Sequence, residues 1–122
     1  MKRDMDLIRK ILRKIRDHED PYGLDGIPEI EGYSKKEISY NIGILKDADL
    51  LTARPSVEMR AKYENYFGIN LTWEGHDFID AAEDETIWKN AKKTVIRPGA
   101  SFTFDILKEW LKSEVKAKLG MF

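Results

Sequence analysis

The 122-residue sequence contains no cysteine. That excludes a disulfide frame, a thiolate zinc site and a cysteine nucleophile, and it fits a reducing compartment. No apolar run approaches the roughly 20 residues that span a bilayer. The opening residues, Met1-Lys2-Arg3-Asp4-Met5-Asp6, place acids where a secretory signal needs an apolar core. A soluble, cytoplasmic protein with no membrane contact is therefore expected. Internal repeats and low-complexity tracts are also lacking, as are a glycine-rich phosphate loop, a Ser/His/Asp set and an opposed carboxylate pair. No enzyme is expected and no cofactor is implied. His76, Asp80 and Glu83 share a helix face at i, i+4 and i+7, a spacing open to a divalent ion. A solvated acidic face carrying one histidine is the commoner meaning of such a pattern, and no metal is expected.

What is present describes an ordinary folded chain, with apolar residues at 42% and charged residues at 35%. The net charge of −1 conceals an arrangement. Residues 1–16 hold seven Lys/Arg against two acids, and residues 89–122 hold eight against three. The stretch 17–88 holds six against seventeen. Basic ends flanking an acidic middle can steer an anionic partner to the ends. They can equally be solvated faces, or pair weakly with the middle.

The first helix is expected over Asp4 to His18. Met5, Ile8, Ile11, Leu12 and Ile15 form one face, Arg9, Lys10, Arg13, Lys14 and Arg16 the other, and Asp4 is the N-cap. Asp20-Pro21-Tyr22-Gly23 stops it. Ile27 and Ile30, around Pro28, are candidates for a short strand. Ser34-Lys35-Lys36-Glu37 is a capping box, with Tyr33 and Ile38 at the hydrophobic-staple positions. The helix it opens carries Ile38, Ile42 and Leu45 on its core stripe. Lys35, Lys36, Ser39, Gly43 and Lys46 lie on the other side. Gly43 costs about 1 kcal/mol against alanine in a helix interior, which points to close packing there.

Leu50 to Ala53 and Tyr66 to Leu71 read as the two strands of a hairpin, with Arg54 to Asn65 as its long tip. The tip carries Arg54, Arg60 and Lys62 beside Tyr63, together with Glu58 and Glu64. Thr72 can cap a further helix, in which Phe78, Ile79 and Ala82 repeat at helical spacing. Trp73 is expected to be buried where that helix leaves the hairpin. A short helix over Thr86 to Lys93, a linker containing Arg97-Pro98-Gly99 and a last helix over Phe102 to Leu119 complete the chain. The last helix has one apolar stripe of Phe104, Leu107, Leu111, Val115, Leu119 and Phe122, and a second of Ile106, Trp110 and Ala117.

Leu71-Thr72-Trp73-Glu74-Gly75-His76, leaving a strand and entering a helix, resembles the exit from the wing of a winged-helix domain. Together with Met1 to Arg9, Gly32-Tyr33-Ser34, Asp84-Glu85-Thr86-Ile87-Trp88, Ser101-Phe102 and Ile106-Leu107-Lys108, it resembles an uncharacterised family of small winged-helix proteins from bacteria, phages and prophages. The resemblance covers nearly the whole chain. It implies a mainly α fold with a small β-hairpin, and a mobile-element setting. It supplies no catalytic or binding residue. Two positions depart from the family pattern: Asn41 stands where histidine is frequent, and Asp49 replaces the usual glycine before Leu50-Leu51, where a left-handed cap is needed.

The expected organisation is a winged-helix-like domain over 1–93, then a linker and amphipathic helix over 94–122 that packs on the domain or on a partner subunit. Only Gly32-Tyr33 separates the extended segment from the Ser34 helix, so the scaffold helix of an ordinary helix-turn-helix is missing or reduced. Two functions remain open. In one, a phage or prophage regulator sets Lys35, Lys36, Ser39 and Lys46 in a groove of duplex DNA, with Arg54, Arg60 and Lys62 on its backbone. In the other, the same scaffold engages a host protein without DNA, a reading favoured by the sequence pI of about 6.1. A homodimer through Phe104, Ile106, Leu107, Trp110, Leu111 and Val115 is expected in either case, because apolar residues cover more of that helix than one core requires.

Overall fold

The fold is seen in a computed structural model, which describes residues 1–56, 58, 60–97 and 102–120. The Pro98-Gly99 part of the expected linker, Ser101 of the family motif and Phe122 of the expected apolar stripe lie outside the described residues. The order of elements is α1 (Met5–Arg16), α2 (Lys35–Asp47), β1 (Leu51–Pro55), β2 (Tyr66–Leu71), α3 (Trp73–Ala82), α4 (Glu85–Thr94) and α5 (Phe104–Lys118). The protein is mainly helical, with one antiparallel two-stranded sheet. Contacts divide the chain into two compact units, 1–76 and 77–122. Among the described residues no helix is long and apolar enough to cross a membrane.

In the first unit, the Asp4 carboxylate accepts from the Leu7 amide and starts α1. Leu7, Ile8, Ile11 and Leu12 are almost wholly buried, and α1 packs on both α2 and β2. Leu7 widens the expected stripe. Arg9 departs from its expected place on the polar face: it is buried, one turn beyond Met5 and therefore at the margin of the apolar side. The capping box forms as expected, with Ser34 Oγ accepting from the Glu37 amide at 3.1 Å and Glu37 Oε1 accepting from the Ser34 amide at 3.1 Å. Ile38, Ile42 and Leu45 face inward from α2. Asp49, in the left-handed region at φ 59°, turns the chain out of this helix into β1.

The hairpin pairs Leu51 with Leu71 and Pro55 with Tyr66, interrupted by a bulge between Thr52 and Arg54. The facing strand carries the extra residue, and there Gly68 takes φ 61°, the left-handed conformation of a glycine-type bulge. The Asp25 carboxylate accepts from its amide at 2.8 Å. A third segment joins β2 on its free edge, but it is Leu24, bridging Ile69, and not Ile27 or Ile30. Pro28 has no N–H to offer a ladder, so the chain leaves the sheet before it reaches those residues. Residues 25–33 contain turns and no helix.

Trp73, expected to be buried, is 82% exposed. Thr72 Oγ1 accepts from the Gly75 amide at 3.0 Å, so Trp73 is the first residue of α3. Gly75, Phe78, Ile79 and Ala82 are its buried positions. At about 100° per residue, Trp73 stands roughly a third to half a turn from all of them. Gly75 takes the inward place that the tryptophan was expected to hold, its backbone pressed against the Leu50 carbonyl: a Cβ there would lie 2.0 Å from that oxygen.

In the second unit, Asp84 caps α4 by accepting from the Ile87 amide at 3.0 Å, and its other carboxylate oxygen pairs with Lys118 at the end of α5. Thr103 caps α5. Ile87, Trp88, Ala91, Leu107 and Leu111 are buried, α4 packs against α5, and the Phe78 and Phe104 rings lie 5.1 Å apart.

Candidate nucleic-acid interface

Within the first unit, α2 is locked to the end of the hairpin tip and the start of β2. Ser39 is 3% exposed and donates its hydroxyl proton to the Glu64 carbonyl. Tyr66 packs against α2 where Gly43 lacks a side chain, and a Cβ at 43 would lie 3.1 Å from the Tyr66 hydroxyl oxygen. This is the close packing expected of Gly43. Burial first, then the nearby Glu64 and Asp47 carboxylates, hold the Tyr66 phenol above its ordinary pKa near 10.

Beside this seam lies a cleft of about 470 Å³, lined from α2 by Lys36, Ser39, Tyr40, Gly43, Ile44 and Asp47, and from the hairpin side by Lys62, Tyr63, Glu64 and Tyr66. The expected residues are thus divided. Lys36 and Lys62 come together on the cleft, and both are exposed. Ser39 lines it too, but its hydroxyl is committed to the hairpin, so it serves as a tether and not as an exposed donor. Lys46 is half-buried, while Arg60, at φ 67°, is exposed near the tip. Arg54 sits opposite Phe67 in the ladder, its guanidinium over Gly68. Tyr40, 43% exposed on the same helix face as Lys36, was not anticipated; its i+4 spacing from Lys36 was the available signal.

Lys35 lines a different hollow, of about 570 Å³, with Lys14, Glu29, Glu31, Tyr33 and others. A neighbouring hollow of about 590 Å³ is lined by Lys10, Arg13, Lys14, Asp17 and His18 from α1, and by Glu29 and Glu31 from the loop. Both open beside the 25–33 segment, which holds turns. Lys10 sits over the Tyr33 ring, 5.4 Å from its centroid. Burial, followed by the carboxylates of Asp4, Asp6 and Glu37, raises the Tyr33 pKa.

Asn41 is a structural centre that the spacing of residues did not reveal. It is 1% exposed, its Oδ1 accepts from the Asp4 amide at 3.1 Å, and its Nδ2 donates to the Glu37 carbonyl at 2.9 Å. It joins the N-terminus of α1 to α2. Among the described residues no group of three or more His, Asp or Glu is placed to hold a metal ion.

In the second unit, the residues expected at a dimer interface fall into two sets. Leu107 and Leu111 are fully buried, and Phe104 and Val115 are half-buried on the same inward face. Ile106 is 53% exposed, Trp110 half-buried and Ala117 exposed.

A protein of Haemophilus influenzae (strain ATCC 51907 / DSM 11121 / KW20 / Rd), described as an uncharacterized protein, is 28% identical over 120 residues, covering 98% of this chain and 100% of that protein. No solved structure matches. The family model described as "Hypothetical protein (DUF2513)" matches residues 2–101, and the chain belongs to that family.

Proposed function

We propose that this protein is a winged-helix regulator that binds duplex DNA through the face shared by α2 and the hairpin tip. The observation that carries the reading is the convergence of Lys36 and Tyr40 from α2 with Lys62 and Tyr63 from the tip on one cleft. Two lysines on separate elements suit two phosphates along a backbone, and the tyrosines supply further polar contacts to it. Lys35 extends the basic edge at the start of α2, where backbone amides and the helix dipole also favour an anion. The order α1, Leu24 bridge, α2, hairpin agrees with a winged-helix plan reduced by its scaffold helix. Asp47, at the C-terminal end of α2, would oppose phosphate, which orients the duplex toward the N-terminal half of the helix. A phage or prophage setting accompanies this reading through the family resemblance.

Fluorescence anisotropy with labelled duplex DNA tests it. Binding should weaken with salt with a log–log slope of about −0.9 per phosphate neutralised. The Lys36→Ala/Lys62→Ala variant should bind more weakly to every duplex, with the slope reduced by about two. If no duplex binds at about 50 mM salt, the reading fails.

A second reading is an interaction module that engages a host protein. The observation favouring it is Trp73, 82% exposed on α3, since tryptophan is enriched at the energetic centres of protein interfaces.

A further inference from the structure

We propose that the outward face of α5 pairs with the same face of a second copy of this chain, with the two helices antiparallel. Leu107 and Leu111 turn the inward side of α5 to its own unit. About a third of a turn away runs Ile106, Trp110, Ser113 and Ala117, spaced 4, 3 and 4 residues apart. That is the alternation of a coiled-coil seam. Ile106 is 53% exposed, Ser113 and Ala117 are exposed, and Trp110 is half-buried.

Size and charge together select a second copy as the occupant. An antiparallel pair with its two-fold axis between residues 111 and 112 places Ile106 against Ala117 of the other copy, and Trp110 against Ser113. Each layer then joins one large and one small side chain, the complementarity that fills a seam without voids. Glu109 and Lys116 flank the seam on one side, both exposed and one heptad apart. In this register Glu109 of one helix faces Lys116 of the other, twice by symmetry. The helix dipoles also oppose.

The parallel alternative stacks Trp110 on Trp110 and brings Glu109 opposite Glu114 of the other chain, a like-charge contact. Glu109, complemented by Lys116 in the antiparallel arrangement, therefore meets a like charge in the parallel one. This inference does not depend on DNA binding, and its test does not use DNA.

Sedimentation equilibrium of the full chain from about 1 to 200 μM, at low and high salt, reads the association directly; far-UV circular dichroism verifies that each variant is folded. The wild type should dimerise. Glu109→Lys and Lys116→Glu should each raise the dimer Kd by about five- to tenfold at low salt, as two exposed pairs become repulsive. The double variant Glu109→Lys/Lys116→Glu should return to within about twofold of the wild type. Ile106→Lys should abolish the dimer. A monomeric wild type across this range overturns the proposal. So does a Glu109→Lys chain that dimerises as tightly as the wild type or more tightly, the result a parallel pair would give, or a double variant as weak as the single ones.

Discussion

The hydroxyl of Ser39 in α2 donates to the backbone carbonyl of Glu64, 25 residues later in the hairpin tip, just before β2. Helix and hairpin are therefore held in one geometry by a buried side chain, and not only by the sheet. This tether lies beside the cleft on which Lys36, Tyr40, Lys62 and Tyr63 converge.

Ser39→Ala removes the donor and leaves the Glu64 carbonyl without that partner in a partly buried seam. A loss of about 1–2 kcal/mol in urea-unfolding stability is expected. Amide exchange in residues 60–66 should accelerate more than in α1. If the variant unfolds at the wild-type urea concentration, the tether has no energetic role.

Gly75→Ala forces a methyl group toward the Leu50 carbonyl oxygen, which a Cβ would approach to 2.0 Å. Backbone is the obstacle, so no side-chain rotation relieves it. The variant should lose about 1–3 kcal/mol or more, against a gain of at most about 1 kcal/mol from the better helix former. Thermal unfolding would show the sign at once.

Asp49→Gly should act in the opposite sense. Asp49 holds φ 59° at the end of α2, a conformation costly for residues with a Cβ and free for glycine. A gain of about 0.5–1 kcal/mol in the same assay is expected once the greater entropy of an unfolded glycine is included. No gain would mean that Asp49 relieves the strain by itself.

Trp73→Ala, at a position 82% exposed, should change stability by no more than about 0.5 kcal/mol. The wild-type emission should carry a solvent-exposed component that this variant lacks. A loss of several kcal/mol would contradict the outward placement.

The Tyr66 phenol is raised above its ordinary pKa near 10, by burial first and then by Glu64 and Asp47. A folded pKa above the unfolded one means that the native state holds the proton more tightly. The contribution is complete below pH 10 and is lost as pH rises through the folded value. Urea midpoints should therefore fall above pH 10, and less steeply in Tyr66→Phe than in the wild type. Equal slopes in the two proteins would remove Tyr66 from the alkaline transition.

The division between local and tertiary causes follows particular residues. Ser34 and Glu37 cap α2 because they lie three residues apart on a turn, a contact that needs nothing else in the molecule. The stripe Ile38, Ile42, Leu45, the strand Tyr66 to Leu71 and the cap at Thr72 are legible for the same reason: a helical period, a strand period and a cap involve only neighbours along the chain. So was the left-handed turn at Asp49, once the resemblance had placed a glycine there. Nothing local distinguishes Ser39, buried and tied to the hairpin, from Lys35 and Lys36, which stay in solvent. Asn41, marked in the sequence only as a departure from the family's frequent histidine, shows its role once the Asp4 amide at the start of another helix is brought to it. Trp73, the largest apolar side chain near the hairpin, points outward because Gly75 lets α3 meet the Leu50 carbonyl along a different line. Which stripe of α5 turns inward was likewise open, since both have the right period. Periodicity and capping act over one or two turns and are written in the sequence; which face is buried depends on residues distant in the chain, and only the tertiary structure decides it.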